Sequence, residues 1–249
     1  MNYKPFPEDY LNQIKQTLQE LKQKNAPIYA AFDADGTLWD TDLGENFFQY
    51  QIDQKHISLP PNPWDFYLEM KQQNNDPRAA YAWLAQINKG QTLEQVRQWS
   101  QLAFDQIKPL PIFTEQKRII DILLESNVQI YIVTASIKWA VEPGARALGL
   151  SNENVIGVET LVADGIITNE AVFPITYRAG KTEAFLKKTN NVKPFFASGN
   201  TSGDIELLQS ASHLRLAVSA ASRDDKLFKA ETELMNFAEK NNWLRHRFI

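Results

Sequence analysis

The chain has 249 residues, 43% of them hydrophobic, a formal net charge of -4, three histidines and no cysteine. That length fits one large domain or a core carrying an insert, and the apolar share suffices for a sizeable core. The acidic balance leaves no basic footprint for nucleic acid or acidic lipid, and the missing thiols exclude cysteine nucleophiles, disulfides and cysteine-held zinc.

The first residues, Met1-Asn2-Tyr3-Lys4-Pro5-Phe6-Pro7, hold no apolar signal core, and no later run is long enough to span a bilayer. A cytoplasmic location is therefore expected, or a periplasmic one if a signal has been trimmed. Tyr10, Leu11, Ile14, Leu18 and Leu21 recur at helical spacing and predict an amphipathic helix over 8–24. Ile28-Tyr29-Ala30-Ala31-Phe32 then reads as a strand packed on both faces, ended by Asp33 and Asp35 before Gly36-Thr37 breaks it. Alternation puts both aspartates on one side of the strand, with Ala34 pointing away. Two carboxylates at the carboxyl end of a buried strand need a shared cation such as Mg²⁺.

From Asp42 to about Pro111 no strand pattern appears. Helical segments near 44–55, 64–73, 77–88 and 92–107 are separated by Pro60-Pro61-Asn62-Pro63 and Asn74-Asn75-Asp76-Pro77. Roughly 70 residues exceed what a single crossover requires, so this stretch is predicted to be an inserted helical cap. Beyond Pro111, helix 113–126, strand 129–133 and helix 138–149 resume a strand-helix alternation. Residues 155–159 and Ile166-Ile167 flank Asp164-Gly165, a hairpin turn signal. Strand 194–198, helix 204–210, strand 214–218 and helix 223–241 follow. The predicted fold is α/β: a Rossmann-like, doubly wound parallel sheet core formed by 1–41 and 111–249, with an α-helical cap at 42–110.

The stretch Asp33-Ala34-Asp35-Gly36-Thr37-Leu38 resembles motif one of the haloacid dehalogenase superfamily, and residues matching its other signatures follow in order. Ile130 to Ser136 is a buried strand ending in a hydroxyl, as in motif two. Gly180-Lys181-Thr182-Glu183 opens a helical pattern where the superfamily places a lysine. Phe195 to Asp204, through Gly199-Asn200-Thr201-Ser202-Gly203, resembles the terminal acidic motif. Ile132 to Ser136, Trp139-Ala140-Val141-Glu142-Pro143, Ala147-Leu148-Gly149 and Val155-Ile156-Gly157 are most similar to the phosphoserine-phosphatase-like group and its phosphorylcholine-phosphatase relatives.

The resemblance implies a Mg²⁺-dependent phosphatase acting on a small phosphorylated metabolite. It assigns Asp33 as nucleophile and Asp35 as acid and base, with Thr134, Ala135, Ser136 and Lys181 around the phosphoryl oxygens. Asp33, the Asp35 carbonyl, Asn200 and Asp204 would hold the metal. Asn200 departs from the aspartate of many members, which predicts weaker metal binding. A phosphomutase or phosphotransferase would use the same residues, and a non-catalytic phospho-ligand-binding module is a third reading. The dehalogenase branch lacks the second aspartate and does not fit. Asp42 falls where phosphoserine phosphatases meet the substrate's amino group, or else caps the next helix, and Arg78 is a candidate carboxylate partner. Trp64, Phe66, Tyr67, Tyr81, Trp83, Trp99 and Phe104 are expected to build the cap's core. Two or three of these rings, with Trp39, would face an alkylammonium group of phosphoserine, phosphocholine or phosphoethanolamine type.

Overall fold

The computed structural model describes residues 3–24, 26–107 and 109–249. Its centre is β1 (Tyr29–Phe32), whose small and apolar residues are buried from both sides of a six-stranded sheet. Ala30 and Phe32 face one apolar layer, built with α1 (Glu8–Lys22), α6 (Thr114–Glu125) and α7 (Lys138–Ala147). Ala31 faces the other, built with α8 (Ala179–Lys188), α9 (Ile205–Ser210) and α10 (Phe228–Lys240). Period-two alternation thus feeds two helical layers from one strand, which is why the strand carries no polar residue before Asp33.

The strand order is β3-β2-β1-β6-β7-β8, with β2 at Gln129–Ile137, β3 at Val155–Val158, β6 at Phe196–Gly199, β7 at Leu214–Ser219 and β8 at Leu244–Arg247. All five pairings are parallel. Sequence reading anticipates the doubly wound sheet but not β8, whose Leu-Arg-His-Arg gives no apolar run and which sits at a sheet edge. The order reverses at β1, so the crevice beyond the carboxyl ends of β1, β2 and β6 lies at a topological switch point.

The segment between β1 and α6 folds as four helices, α2 (Leu43–Gln54), α3 (Pro63–Gln72), α4 (Arg78–Gln86) and α5 (Leu93–Asp105). Their apolar faces share a second core with Phe47, Phe48, Leu84, Val96 and Trp99, and this core runs on into Ile137, Trp139 and Ala140 of β2 and α7. The Arg97 guanidinium on α5 donates twice to Glu142 of α7, at 2.7 and 2.8 Å, pinning the helical segment to the sheet layer.

The hairpin departs from the sequence reading as well. Residues 155–158 do not form half of a hairpin: they are β3 of the main sheet, and the hairpin is a separate pair, β4 (Thr160–Ala163) and β5 (Ile166–Ala171). It packs on the helical segment. Main-chain N–H groups of Gly90 and Leu93 donate to Ile167 and Gly165 carbonyls at 2.9 Å, and the Ile167 N–H donates to Gln91 at 2.9 Å. The helices therefore gain a β-element from a stretch more than 50 residues away.

Candidate active site

The crevice holds a cavity of about 540 Å³ lined by Asp33, Asp35, Thr134, Lys181, Asn200 and, toward the helical segment, Asp42, Glu45, Lys71, Tyr67 and Tyr81. Asp33 continues β1 by donating its N–H to the Ser198 carbonyl of β6, at 2.9 Å, which fixes the carboxylate at the sheet's edge. Lys181, on the first turn of α8, is buried and its Nζ bridges Asp33 Oδ1 and Asp204 Oδ1, at 2.5 Å each. Burial works against the charge on Lys181, but Asp204 and Asp33 outweigh it and hold its pKa above the ordinary lysine value. Burial and the Asp204 charge push the Asp33 carboxyl up to about 6, against the pull of Lys181 and Thr37.

Asp35 sits in different surroundings. Both aspartates line the same cavity, but their partners differ. Asp35 Oδ1 accepts from Trp39 Nε1 at 2.8 Å and from the Leu43 N–H at 2.9 Å, and its Oδ2 accepts from Ser136 Oγ at 2.7 Å. Burial lifts its carboxyl to about 6, with those three donors opposing. One carboxylate is thus held by a lysine, the other only by neutral donors, an asymmetry suited to dividing nucleophile from acid.

Several sequence expectations are redirected here. Trp39 is fully buried, with a Cβ on Gly144 of α7 landing on its ring, so it cannot face a substrate and instead orients Asp35. The Ser136 N–H is taken by Thr134 Oγ1 at 3.0 Å and its hydroxyl by Asp35, so Ser136 supports the two site residues beside it and offers no free N–H to a phosphate. Thr134, by accepting that N–H, keeps its own hydroxyl hydrogen to donate. Asp42 is the N-cap of α2, accepting from the Glu45 N–H at 2.7 Å, and lines the cavity as well. Burial, then Asp35 and Glu45, push it up to about 8. Arg78 pairs with Asp76 at 2.6 Å on an exposed surface and is not part of this cavity. Of the aromatic residues in the helical segment, only Tyr67 and Tyr81 reach the cavity among the described residues, and Lys71 Nζ already lies 5.0 and 5.7 Å from their ring centres. An aromatic cage for a substrate ammonium is therefore filled by the protein's own lysine. Lys71 and Lys226 both pair with Glu45, at 3.3 and 2.5 Å, tying the helical segment to the loop after β7.

Whether a divalent cation fits can be judged from the donors. Among the described residues no three His, Cys, Asp or Glu side chains stand together as a metal cluster, so a cation would have to use amide or main-chain oxygens too. Such oxygens are present: Thr37 Oγ1 lies 2.9 Å from Asp33 Oδ2 and 3.2 Å from Asn200 Oδ1, yet it has a single hydrogen to give. One of these acceptors is left without it. Asp33, Lys181 and Asp204 carry a formal charge of about -1 together, which repels a phosphate dianion unless a cation joins them. Hard oxygen donors beside an excess negative charge suit Mg²⁺. Asp204 is not among the free donors: its Oδ2 accepts from the N–H groups of Asn200 and Thr201 at 3.2 and 3.0 Å and from the Thr201 hydroxyl, and its Oδ1 binds Lys181.

Sequence reasoning missed Glu231. It comes from α10, 31 residues past Asn200, whose Nδ2 donates to it at 3.0 Å. Its one signal was a charged residue in register with the buried Leu234 and Ala238 of an amphipathic helix.

The family model of haloacid dehalogenase-like hydrolases matches residues 30–209, which include every motif above. The chain belongs to that family. As a haloacid dehalogenase-like hydrolase it is similar to the phosphorylcholine phosphatase of Pseudomonas aeruginosa, 22% identical over 262 residues that cover 79% of this chain and 74% of that one. The fold is similar to that of a Bordetella pertussis protein of unknown function, with a TM-score of 0.69, 16% identity and 89% and 99% of the two chains covered. It is also similar to a substrate-bound phosphoserine phosphatase, with a TM-score of 0.51, 16% identity and 78% and 87% coverage. These neighbours share the parallel sheet flanked by helices described above.

Proposed function

We propose that this chain is a Mg²⁺-dependent phosphomonoesterase that hydrolyses a small phosphomonoester through an aspartyl phosphate on Asp33. The observation that carries the reading is the unlike pairing of the two aspartates, one on Lys181 and one on Trp39, Leu43 and Ser136. Mg²⁺, held by Asp33, the Asp35 main-chain carbonyl and Asn200, would neutralise phosphoryl oxygens. Lys181 and the Thr134 hydroxyl bind the same oxygens and orient the phosphorus in line with the Asp33 carboxylate. As Asp33 bonds to phosphorus, the ester oxygen leaves with the proton of Asp35. Asp35, now ionised, takes a proton from the water that attacks the aspartyl phosphate, releasing inorganic phosphate and restoring both carboxyls.

Helices 43–105 act in this reading as the cap over the site, with the hairpin at 160–171 belonging to it. The leaving group carries an amine: Asp42 forms no ion pair among the described residues, and the negative field of Asp35 and Glu45 on it exceeds the pull of Lys71. A substrate ammonium would relieve that crowding, and the likeness to a phosphorylcholine phosphatase supports the choice. Turnover of an aryl phosphate with Mg²⁺, and a screen of phosphocholine, phosphoethanolamine, phosphoserine and sugar phosphates, test it. Asp33→Asn should abolish turnover with the fold intact. Appreciable activity of that variant, free of contaminating phosphatase, would refute the covalent route.

A further inference from the structure

Glu231 is buried, 2% exposed, and forms no ion pair among the described residues. Its Oε2 accepts three hydrogen bonds, from Ser219 Oγ at 2.7 Å and from the N–H groups of Ala220 and Ala221 at 3.0 and 2.9 Å. Its Oε1 receives only Asn200 Nδ2, at 3.0 Å. Asn200 is itself 1% exposed, and its Oδ1 points to Thr37 Oγ1 beside Asp33. An amide has two nearly isosteric ends, so its neighbours must decide which end faces which way. Turning Asn200 over would set its oxygen against the Glu231 carboxylate, losing a charge-assisted bond and gaining a repulsion in a site closed to water. Gly36 narrows the choice further: its φ is +77°, and a Cβ there would collide with Asn200 Nδ2, so the backbone of the first motif is packed against the amide.

We infer that Glu231 is a positioning residue that locks Asn200 with its oxygen toward Asp33, making it a neutral ligand for the divalent cation. The inference rests on the proposed cation at that place. It also assigns the negative charge absent from position 200 to position 231, one hydrogen bond farther out, where it orients the ligand without binding the metal. A carboxylate at 200 should consequently harm the protein as long as Glu231 is charged, whereas the chemistry of metal ligands taken alone would favour it.

The test combines E231Q, N200D and N200D/E231Q, measured by thermal unfolding of the metal-free proteins at pH 8 and by calorimetric titration with Mg²⁺ alone. In E231Q the glutamine oxygen is claimed by Ser219, Ala220 and Ala221, so its NH₂ faces Asn200 and the Asn200 amide turns over, presenting NH₂ to the metal side. Mg²⁺ affinity should fall by about tenfold or more with little change in melting temperature. N200D should melt roughly 5 °C or more below the wild type, because two buried carboxylates meet. N200D/E231Q should recover both stability and Mg²⁺ binding, since glutamine can donate to the new aspartate. Unchanged Mg²⁺ affinity in E231Q, an N200D as stable as the wild type, or single effects that merely add in the double variant would each overturn the inference. Should E231Q not fold, the stability of N200D alone decides. A wild type that binds no Mg²⁺ would refute the proposed metal site, while the metal-free melting cycle would still report on the 200–231 coupling.

Discussion

Removing the Ser136 hydroxyl should move the alkaline limb of the pH–rate profile. Ser136 Oγ donates to Asp35 Oδ2 at 2.7 Å, and this donor is one of three that stabilise the ionised carboxylate against burial, which holds the carboxyl at about 6. A hydrogen bond to a charged group contributes about 1.5–3 kcal/mol, and one pH unit corresponds to about 1.4 kcal/mol. Asp35 is half-buried, so the low end applies and Ser136→Ala should raise its pKa by about one unit. Because the proposed mechanism needs Asp35 protonated when the alcohol leaves, the alkaline limb of kcat/KM for an aryl phosphate should shift up by about the same amount. Trp39→Phe removes the second donor and should shift the limb in the same direction, with added instability from lost indole packing. Profiles are to be recorded on protein whose melting temperature has been checked at each pH. An unmoved alkaline limb in a well-folded Ser136→Ala protein, or a shift of the acid limb only, would refute the assignment of Asp35 as the acid.

Asp42→Asn keeps the N-cap of α2, since asparagine caps as well as aspartate, but removes the charge. KM for phosphocholine or phosphoethanolamine at pH 9 should rise about tenfold with no change for an aryl phosphate, and equal changes on both would assign Asp42 to capping alone. Since this carboxyl lies at about 8, it is ionised above that pH, and the wild type's preference for amine-bearing esters should grow from pH 7 to pH 9 in paired KM measurements. Gly36→Ala places a Cβ on Asn200 and forces a residue with a side chain into φ +77°, so Mg²⁺ affinity and turnover should both collapse; near-normal Mg²⁺ titration would show that the loop can yield. Arg97→Leu leaves the fully buried Glu142 without its cation, which should lower stability by about 3 kcal/mol at pH 8. A loss of under about 1 kcal/mol in calorimetric scans would show that the buried carboxylate does not depend on Arg97.

What was legible in the sequence follows the strength of local signals. The run Ile28 to Phe32 ending in two aspartates announces a buried central strand, and four proline-punctuated helical stretches announce the insert. Such patterns are written within a few residues. Trp39 misleads because the sequence shows an aromatic ring near the site but not that its N–H finds a carboxylate four residues back. β8 is hidden because an edge strand with Arg245 and Arg247 lacks an apolar run, and β3 was merged with the hairpin because Val158 and Thr160 belong to different sheets across a single residue. Glu231 could not be assigned at all: its partners Asn200 and Ser219 are 31 and 12 residues away, a distance only the sheet's topology closes.

The β4–β5 hairpin enlarges the cap of the proposed mechanism. A cap joined to its core by two chain crossings near residues 42 and 110 can swing on that pair alone. Here the turn between α4 and α5 is sewn to Gly165 and Ile167 by three main-chain hydrogen bonds, so any swing must carry the hairpin, and the strain falls on the stretches between β3 and β4 and between β5 and α8. The second of these leads into α8, whose first turn carries Lys181. In the proposed mechanism, opening would therefore be felt at the lysine that holds Asp33, linking access to the electrostatics of the proposed nucleophile, and a chimera that exchanged only the inserted helices would sever the linkage.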